Sequence, residues 1–175
     1  MSIKVGDIVS CEKTIPDGVL QYVPFDPKED ITACPRPIQY KVHEKLKGKK
    51  AVIFAIPGPF TPACSETHVP GFITAREALE SKGVSEVVCI SVMDGFVMNA
   101  FAKAYKAGDK VIMAGDGSHA FTDALGLAQD LTKNGMGIRS KRFAIVVDDL
   151  VVKYVGVETS FGVSSSGADA VLSKL

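Results

Sequence analysis

The chain of 175 residues carries 46% hydrophobic and 23% charged side chains, and its 20 basic residues balance 20 acidic ones. That is the composition of a soluble globular protein, long enough to bury roughly 70% of its unfolded surface in one core, so a single domain over residues 1–175 is predicted. A net charge of zero gives no electrostatic hold on nucleic acid or an anionic membrane, and the longest apolar runs, Ala51–Ile56 and Phe143–Val147, are far too short to span a bilayer.

The first forty residues are rich in loop signals, with Pro16, Pro24, Pro27, Pro35 and Pro37 around one short hairpin predicted near Val19–Val23. From Lys49 onward strands and helices alternate. Ala51–Ile56 is a continuous apolar run, as expected of a strand covered on both faces. Phe72, Ala75, Arg76 and Leu79 then recur at helical spacing, and Lys82-Gly83 closes that helix. Glu86–Val92 reads as the next buried strand. Met98, Phe101, Ala102 and Tyr105 mark a second helix face closed by Gly108. Lys110–Ala114 is a third strand and Ala120–Leu127 a short helix. Arg142–Val147 and Val151–Val157 read as strands joined by the hairpin-length Asp148-Asp149-Leu150. Ser165 or Ser166 can cap a last helix running to Leu175. This order predicts an α/β fold of the thioredoxin-like kind. A central mixed sheet would be flanked by helices, parallel at the crossovers and antiparallel at the hairpin, with N-terminal hairpin and loop additions.

Four cysteines are present, Cys11, Cys34, Cys64 and Cys89, and no pair has C-x-x-C spacing. His43, His68 and His119 are scattered, so the spacing predicts no metal site and no cofactor. Cys64 stands apart. It follows a buried strand and the stiff turn Pro57-Gly58-Pro59-Phe60-Thr61-Pro62-Ala63, and it opens the next helix. The unpaired N–H groups of a first helical turn favour an anion, so a thiolate is stabilised there. Thr61 supplies a hydroxyl that both accepts and donates. Pro70 interrupts the helix soon after it starts, predicting a kink near Thr67–Val69. An inert core thiol is the competing reading of Cys64, set against its polar neighbours Thr61, Ser65 and Glu66.

Pro57-x-x-x-Thr61-x-x-Cys64 resembles the active-site signature of the peroxiredoxins, thiol peroxidases of the thioredoxin fold. The longer PGPFTPACSETHVPGF (residues 57–72) resembles the type II, or peroxiredoxin-five, branch. SKGVSEVVCISVMDGFVMNAF (81–101) and GIRSKRFAIVVDD (137–149) resemble further segments of that branch in the same order, and the likeness runs from Gly6 to Leu175. The resemblance implies that Cys64 is the peroxidatic cysteine and that Thr61 hydrogen-bonds both thiolate and peroxide. It implies that Pro57 shields the thiolate, that Arg142 is the essential arginine, and that the N–H groups of Ala63 and Cys64 complete the site. Without it, Arg142 reads as a solvated charge at a strand start. His68, one turn beyond Cys64, is a pocket candidate or equally a surface or capping residue. The implied reaction reduces hydrogen peroxide and alkyl or lipid hydroperoxides through a cysteine sulfenic acid, with no cofactor. A redox sensor or chaperone-like protein using the same cysteine without efficient turnover is the alternative.

The resemblance leaves the resolving thiol open. The segment around Cys34 resembles fungal type II enzymes, in which the matching cysteine pairs with the partner subunit. The segment around Cys89 resembles plant enzymes, in which that cysteine is the proposed internal partner. Cys34 lies in a polar, proline-flanked loop and is preferred; Cys89 lies in an apolar strand, and bridging it to Cys64 requires local unwinding. Direct reduction by glutathione or a glutaredoxin is the third route, and Cys11 has no assigned role. The family implies thioredoxin or glutaredoxin/glutathione as reductant and a homodimer. Met1–Asp7 has neither a secretory apolar stretch nor transit-peptide character. Ser173-Lys174-Leu175 matches a peroxisomal address, although it also suits the end of an amphipathic helix. A peroxisomal location with a cytoplasmic pool is expected.

Overall fold

In the computed structural model residues 13–175 are described; Cys11 and the Met1–Asp7 segment lie outside them. The sheet has seven strands in the order β2-β1-β5-β4-β3-β8-β9. These are β1 (Val19–Tyr22), β2 (Ile38–Lys41), β3 (Lys50–Ala55), β4 (Val84–Ser91), β5 (Ile112–Gly115), β8 (Phe143–Asp148) and β9 (Val151–Val157). A separate two-stranded ribbon joins β6 (Ala128–Asp130) to β7 (Ile138–Ser140). The helices are α1 (Val42–Leu46), α2 (Val69–Thr74), α3 (Arg76–Ser81), α4 (Gly95–Ala104), α5 (Ala120–Leu125) and α6 (Ala168–Leu172).

Side-chain alternation along the central strands divides the core in two. Ala51, Ile53 and Ala55 of β3 face one layer with Phe143, Ile145 and Val147 of β8, together with Leu20, Tyr40 and Phe121. Val52 and Phe54 face the other layer with Ala144 and Val146, and there Cys64, Phe72, Cys89, Phe101 and Val171 pack. Both faces being covered explains why β3 reads as an unbroken apolar run. The crossovers make β3–β4 and β4–β5 parallel, while β3–β8 and β8–β9 are antiparallel. Asp149 and Leu150 at the β8–β9 corner both have positive φ, 44° and 69°. That matches the primed turn favoured by two-residue hairpins.

Three sequence expectations change. The strand near Val19–Val23 forms, but its partner is β2, reached across the long segment 23–37, so it is no tight hairpin. The helix through Phe72 and Leu79 is two helices, broken at Ala75 with φ −80° and ψ 1°. The last helix is capped by Gly167 and ends at Leu172; the hydroxyl of Ser166 is drawn away to Glu158, at 2.8 Å. The strand pair β6–β7 and helix α1 carry no periodic signal long enough to be read from sequence.

Candidate active site

β3 ends at Ala55, and the chain then turns through Pro57–Thr61 into a helical segment in which Ala63 (φ −62°, ψ −29°) is already helical. The first bond of this turn runs from the Ser65 N–H to the Thr61 carbonyl, 3.0 Å, so the N–H groups of Ala63 and Cys64 stand ahead of the hydrogen-bonded ladder. Cys64–His68 then forms a π-helical turn in which the Val69 N–H reaches back to the Cys64 carbonyl. Pro70 explains the widening: it has no N–H to donate. Where a kink is expected near Thr67–Val69, the helix widens into this turn.

Cys64 is fully buried, and its Sγ accepts a hydrogen bond from Arg142 Nη2 at 3.2 Å. The other guanidinium nitrogen, Nη1, lies 3.1 Å from His68 Nδ1, and His68 Nε2 lies 2.9 Å from the Ser166 carbonyl. A guanidinium and a carbonyl are unambiguous donor and acceptor, so the tautomer follows: Nε2 carries the proton and Nδ1 accepts. His68 is thus a pocket residue and no surface group, its ring tilted against those of Phe54 (4.9 Å) and Phe72 (5.7 Å). Burial pushes its pKa down to about 4, aided by the adjacent Arg142 charge and opposed by the Ser166 bond. The imidazole is neutral at physiological pH.

The Ser166 carbonyl is itself anchored. Glu158 accepts from the N–H and hydroxyl of both Ser164 and Ser166 at 2.7–2.8 Å. Burial raises the Glu158 pKa, but those four donors outweigh it and hold the carboxyl at about 2. Tyr154 OH donates to the Ser165 carbonyl at 2.6 Å, and a Cβ on Gly156 would lie 2.1 Å from that oxygen, so only glycine lets this strap approach β9. A continuous chain therefore runs Glu158, Ser166, His68, Arg142, Cys64.

Thr61 sits beside this chain with its hydroxyl donating to the Gly58 carbonyl at 2.9 Å. Its single proton is used there, so the expected bond from Thr61 to the sulfur is not made; the hydroxyl offers lone pairs instead. Pro57 is half-buried, and its carbonyl accepts from Arg139 Nη1 at 3.2 Å. Ser140 Oγ donates to the Ile56 carbonyl at 3.0 Å, so the β6–β7 ribbon braces the turn from behind. Phe60, at φ 60°, projects from the rim and meets Phe101 edge-on at 5.0 Å. A bulky residue in the left-handed region stores strain of about 1–2 kcal/mol.

Cys34 is exposed, on the segment before β2. Cys89 is buried in β4 opposite Phe54, and burial, reinforced by nearby Cys64, pushes its thiol pKa well up. Sequence reasoning missed Glu158, Ser164, Ser166, Arg139 and Ser140. A glutamate six to eight residues ahead of paired serines is a loop-anchoring pattern, but only contact to His68 links it to a site.

A thioredoxin-like sheet presenting one buried cysteine against an arginine suits thiol-based redox chemistry. The Redoxin family profile matches residues 12–172. Peroxiredoxin-2B of Arabidopsis thaliana is 43% identical over 173 residues, covering 99% of this chain and 98% of its own. A protein of Lipomyces kononenkoae described as "Putative peroxisomal peroxiredoxin" is 43% identical, covering 88% of this chain and 93% of its own. The crystal structure of reduced Prx3 from Vibrio vulnificus in complex with H2O2 superposes with a TM-score of 0.82 at 36% identity, covering 94% and 98% of the two chains. The chain belongs to the peroxiredoxins, in their type II, peroxiredoxin-five-like branch, and is a thiol peroxidase.

Proposed function

We propose that Cys64 is the peroxidatic cysteine and that the contact from Arg142 Nη2 to its Sγ, 3.2 Å, is the centre of the reaction. The sulfur, as thiolate, attacks the hydroxyl oxygen of a hydroperoxide; the O–O bond breaks, an S–O bond forms, and the proton leaves with the other oxygen as water or alcohol. Arg142 and the N–H groups of Ala63 and Cys64 are the donors that stabilise the charge developing on oxygen. Thr61, its own proton committed to Gly58, accepts the peroxide O–H. Pro57 walls one side. Hydrogen peroxide and alkyl or lipid hydroperoxides are the substrates; for hydrogen peroxide the reading is supported by the Vibrio vulnificus relative described with H2O2.

Cys34 resolves the sulfenic acid, supported by its exposure; the buried, high-pKa thiol of Cys89 is a poor nucleophile. The resulting disulfide is reduced by thioredoxin or by glutaredoxin/glutathione, and the enzyme works as a homodimer. A peroxisomal location is supported by the Lipomyces kononenkoae relative's description and by Ser173-Lys174-Leu175. Leu172 and Leu175 pack against the core and Ser173 Oγ bonds the Ala170 carbonyl, so a receptor must peel this tail from the body to read it. Sub-stoichiometric protein consuming peroxide with a dithiol reductant tests turnover. Full activity in Cys64→Ser overturns the assignment, and a full-length fluorescent fusion that stays diffuse despite an intact Ser173-Lys174-Leu175 overturns the location.

A further inference from the structure

The segment 23–37 that carries Cys34 has few polar ties to the fold. It bridges a cavity of about 620 Å3 lined by Val23, Phe25, Ile31, Asn99, Lys103 and Met113. Its internal bonds are local: Asp26 accepts from the Lys28 N–H at 2.9 Å, Asp30 accepts from the Thr32 N–H at 2.8 Å, and Cys34 Sγ lies 3.7 Å from the Thr32 carbonyl. Outside the β1–β2 ladder, and among the described residues, every hydrogen bond and ion pair joining 23–37 to the rest of the protein ends on one side chain, Lys103 of α4. Its ammonium donates to the Ala33 carbonyl at 2.6 Å and the Asp30 carbonyl at 3.1 Å, and pairs with Glu29 at 2.7 Å. An ammonium has three protons, and the segment takes all three. Lys103 and Glu29 side chains are only 16% and 18% exposed, so water competes weakly for them.

We propose that Lys103 is a positioning residue for resolution: it holds the backbone immediately before Cys34 so that the thiol is presented at one place instead of sampling a loose loop. This rests on the reading of Cys34 as the resolving cysteine. In the step concerned, the Cys34 thiolate attacks the sulfur of the Cys64 sulfenic acid. The S–S bond forms, the S–O bond breaks, and the departing hydroxide takes a proton to become water, with no external oxidant. Cys64 lies in a helical first turn and has to unwind to be reached. With that sulfur moving, a fixed partner supplies the effective concentration.

The test separates the two chemical steps in the full-length protein. In Lys103→Met, oxidation of Cys64 by stoichiometric hydrogen peroxide keeps its wild-type rate. Disulfide formation slows about ten-fold, and excess peroxide diverts more protein to the sulfinic acid. Glu29→Gln gives a smaller slowing, and Lys103→Arg restores the rate. Disulfide formation at or above the wild-type rate in Lys103→Met overturns the proposal. If Cys34→Ser forms its disulfide as the wild type does, the reading of Cys34 falls instead. Lys103 as a loop anchor is then judged by hydrogen exchange across 26–36: faster exchange in Lys103→Met upholds it, and unchanged exchange overturns it.

Discussion

Replacing His68 with leucine removes two hydrogen bonds from a buried place at nearly constant volume. The Ser166 carbonyl and Arg142 Nη1 both lose their partner. A buried polar group left unpaired costs about 1–3 kcal/mol, and the apolar replacement recovers part of that, so His68→Leu loses about 2–4 kcal/mol of stability at pH 7.5. The wild type carries its own penalty in acid. The imidazole falls from an ordinary 6.5 to about 4 in the fold. Above 6.5 both folded and unfolded chains hold it neutral. Between 6.5 and 4 the unfolded chain binds the proton and the folded one resists it, so stability falls as pH falls. At about 1.4 kcal/mol per pH unit the full drop is roughly 3 kcal/mol. The leucine variant has no such drop, so the two proteins converge as pH approaches 4. Urea unfolding at several pH values measures both. Glu158, held at about 2 against an ordinary 4.5, loses its contribution in a lower window, as pH falls from about 4.5 towards 2, and overlaps little. In the same variant Arg142 loses the partner of Nη1, and Cys64 oxidation slows about ten- to a hundred-fold in stopped flow. A stability gap constant from pH 7.5 to 4 refutes the neutral-imidazole argument, and an unchanged oxidation rate refutes the positioning of Arg142 through His68.

Cys64→Ser abolishes peroxide consumption, while Arg142→Gln lowers the oxidation rate about a hundred-fold or more, both read in a coupled peroxidase assay. Gly156→Ala drives a methyl into the Ser165 carbonyl and costs about 2–4 kcal/mol by thermal unfolding, and it slows Cys64 oxidation because Ser166 shifts under His68. Intact mass without reductant, after one equivalent of hydrogen peroxide, gives a covalent dimer that reverts with dithiothreitol. A monomer lighter by about two hydrogens instead brings Cys89 forward.

What the sequence discloses depends on whether the signal is local. The β3, β4 and β8 strands are legible because burial on both faces leaves continuous apolar runs, and the β8–β9 hairpin because its connection is short. The partner of β1 is hidden, since nothing near Val19 points across 23–37 to Ile38. The last helix is misread because a serine ahead of an apolar run looks like a cap, whereas the Ser166 side chain turns to donate to Glu158 and the cap position falls on Gly167. In the site, Cys64 is conspicuous from its turn. Arg142 lies 78 residues away, and only resemblance connects them before the fold brings its nitrogen to the sulfur. His68 is ambiguous at i+4 from Cys64, because an α-helix and a π-turn aim that position differently. Ser166 reaches His68 through its backbone carbonyl, and Glu158 acts only by holding that serine loop in place, which side-chain chemistry in the sequence does not advertise.

The missing rung at Pro70 divides the helix that carries Cys64 into two segments with a perforation between them. A helix normally unzips one hydrogen bond at a time, and each opened turn loosens the next. Here the proline nitrogen never had a bond to lose, so the Cys64–His68 turn can swing out and α2 remain wound on the sheet. A motion one turn long would then suffice to release the cysteine, with the Phe72 that stacks on Phe54 left behind as the floor to which the turn returns.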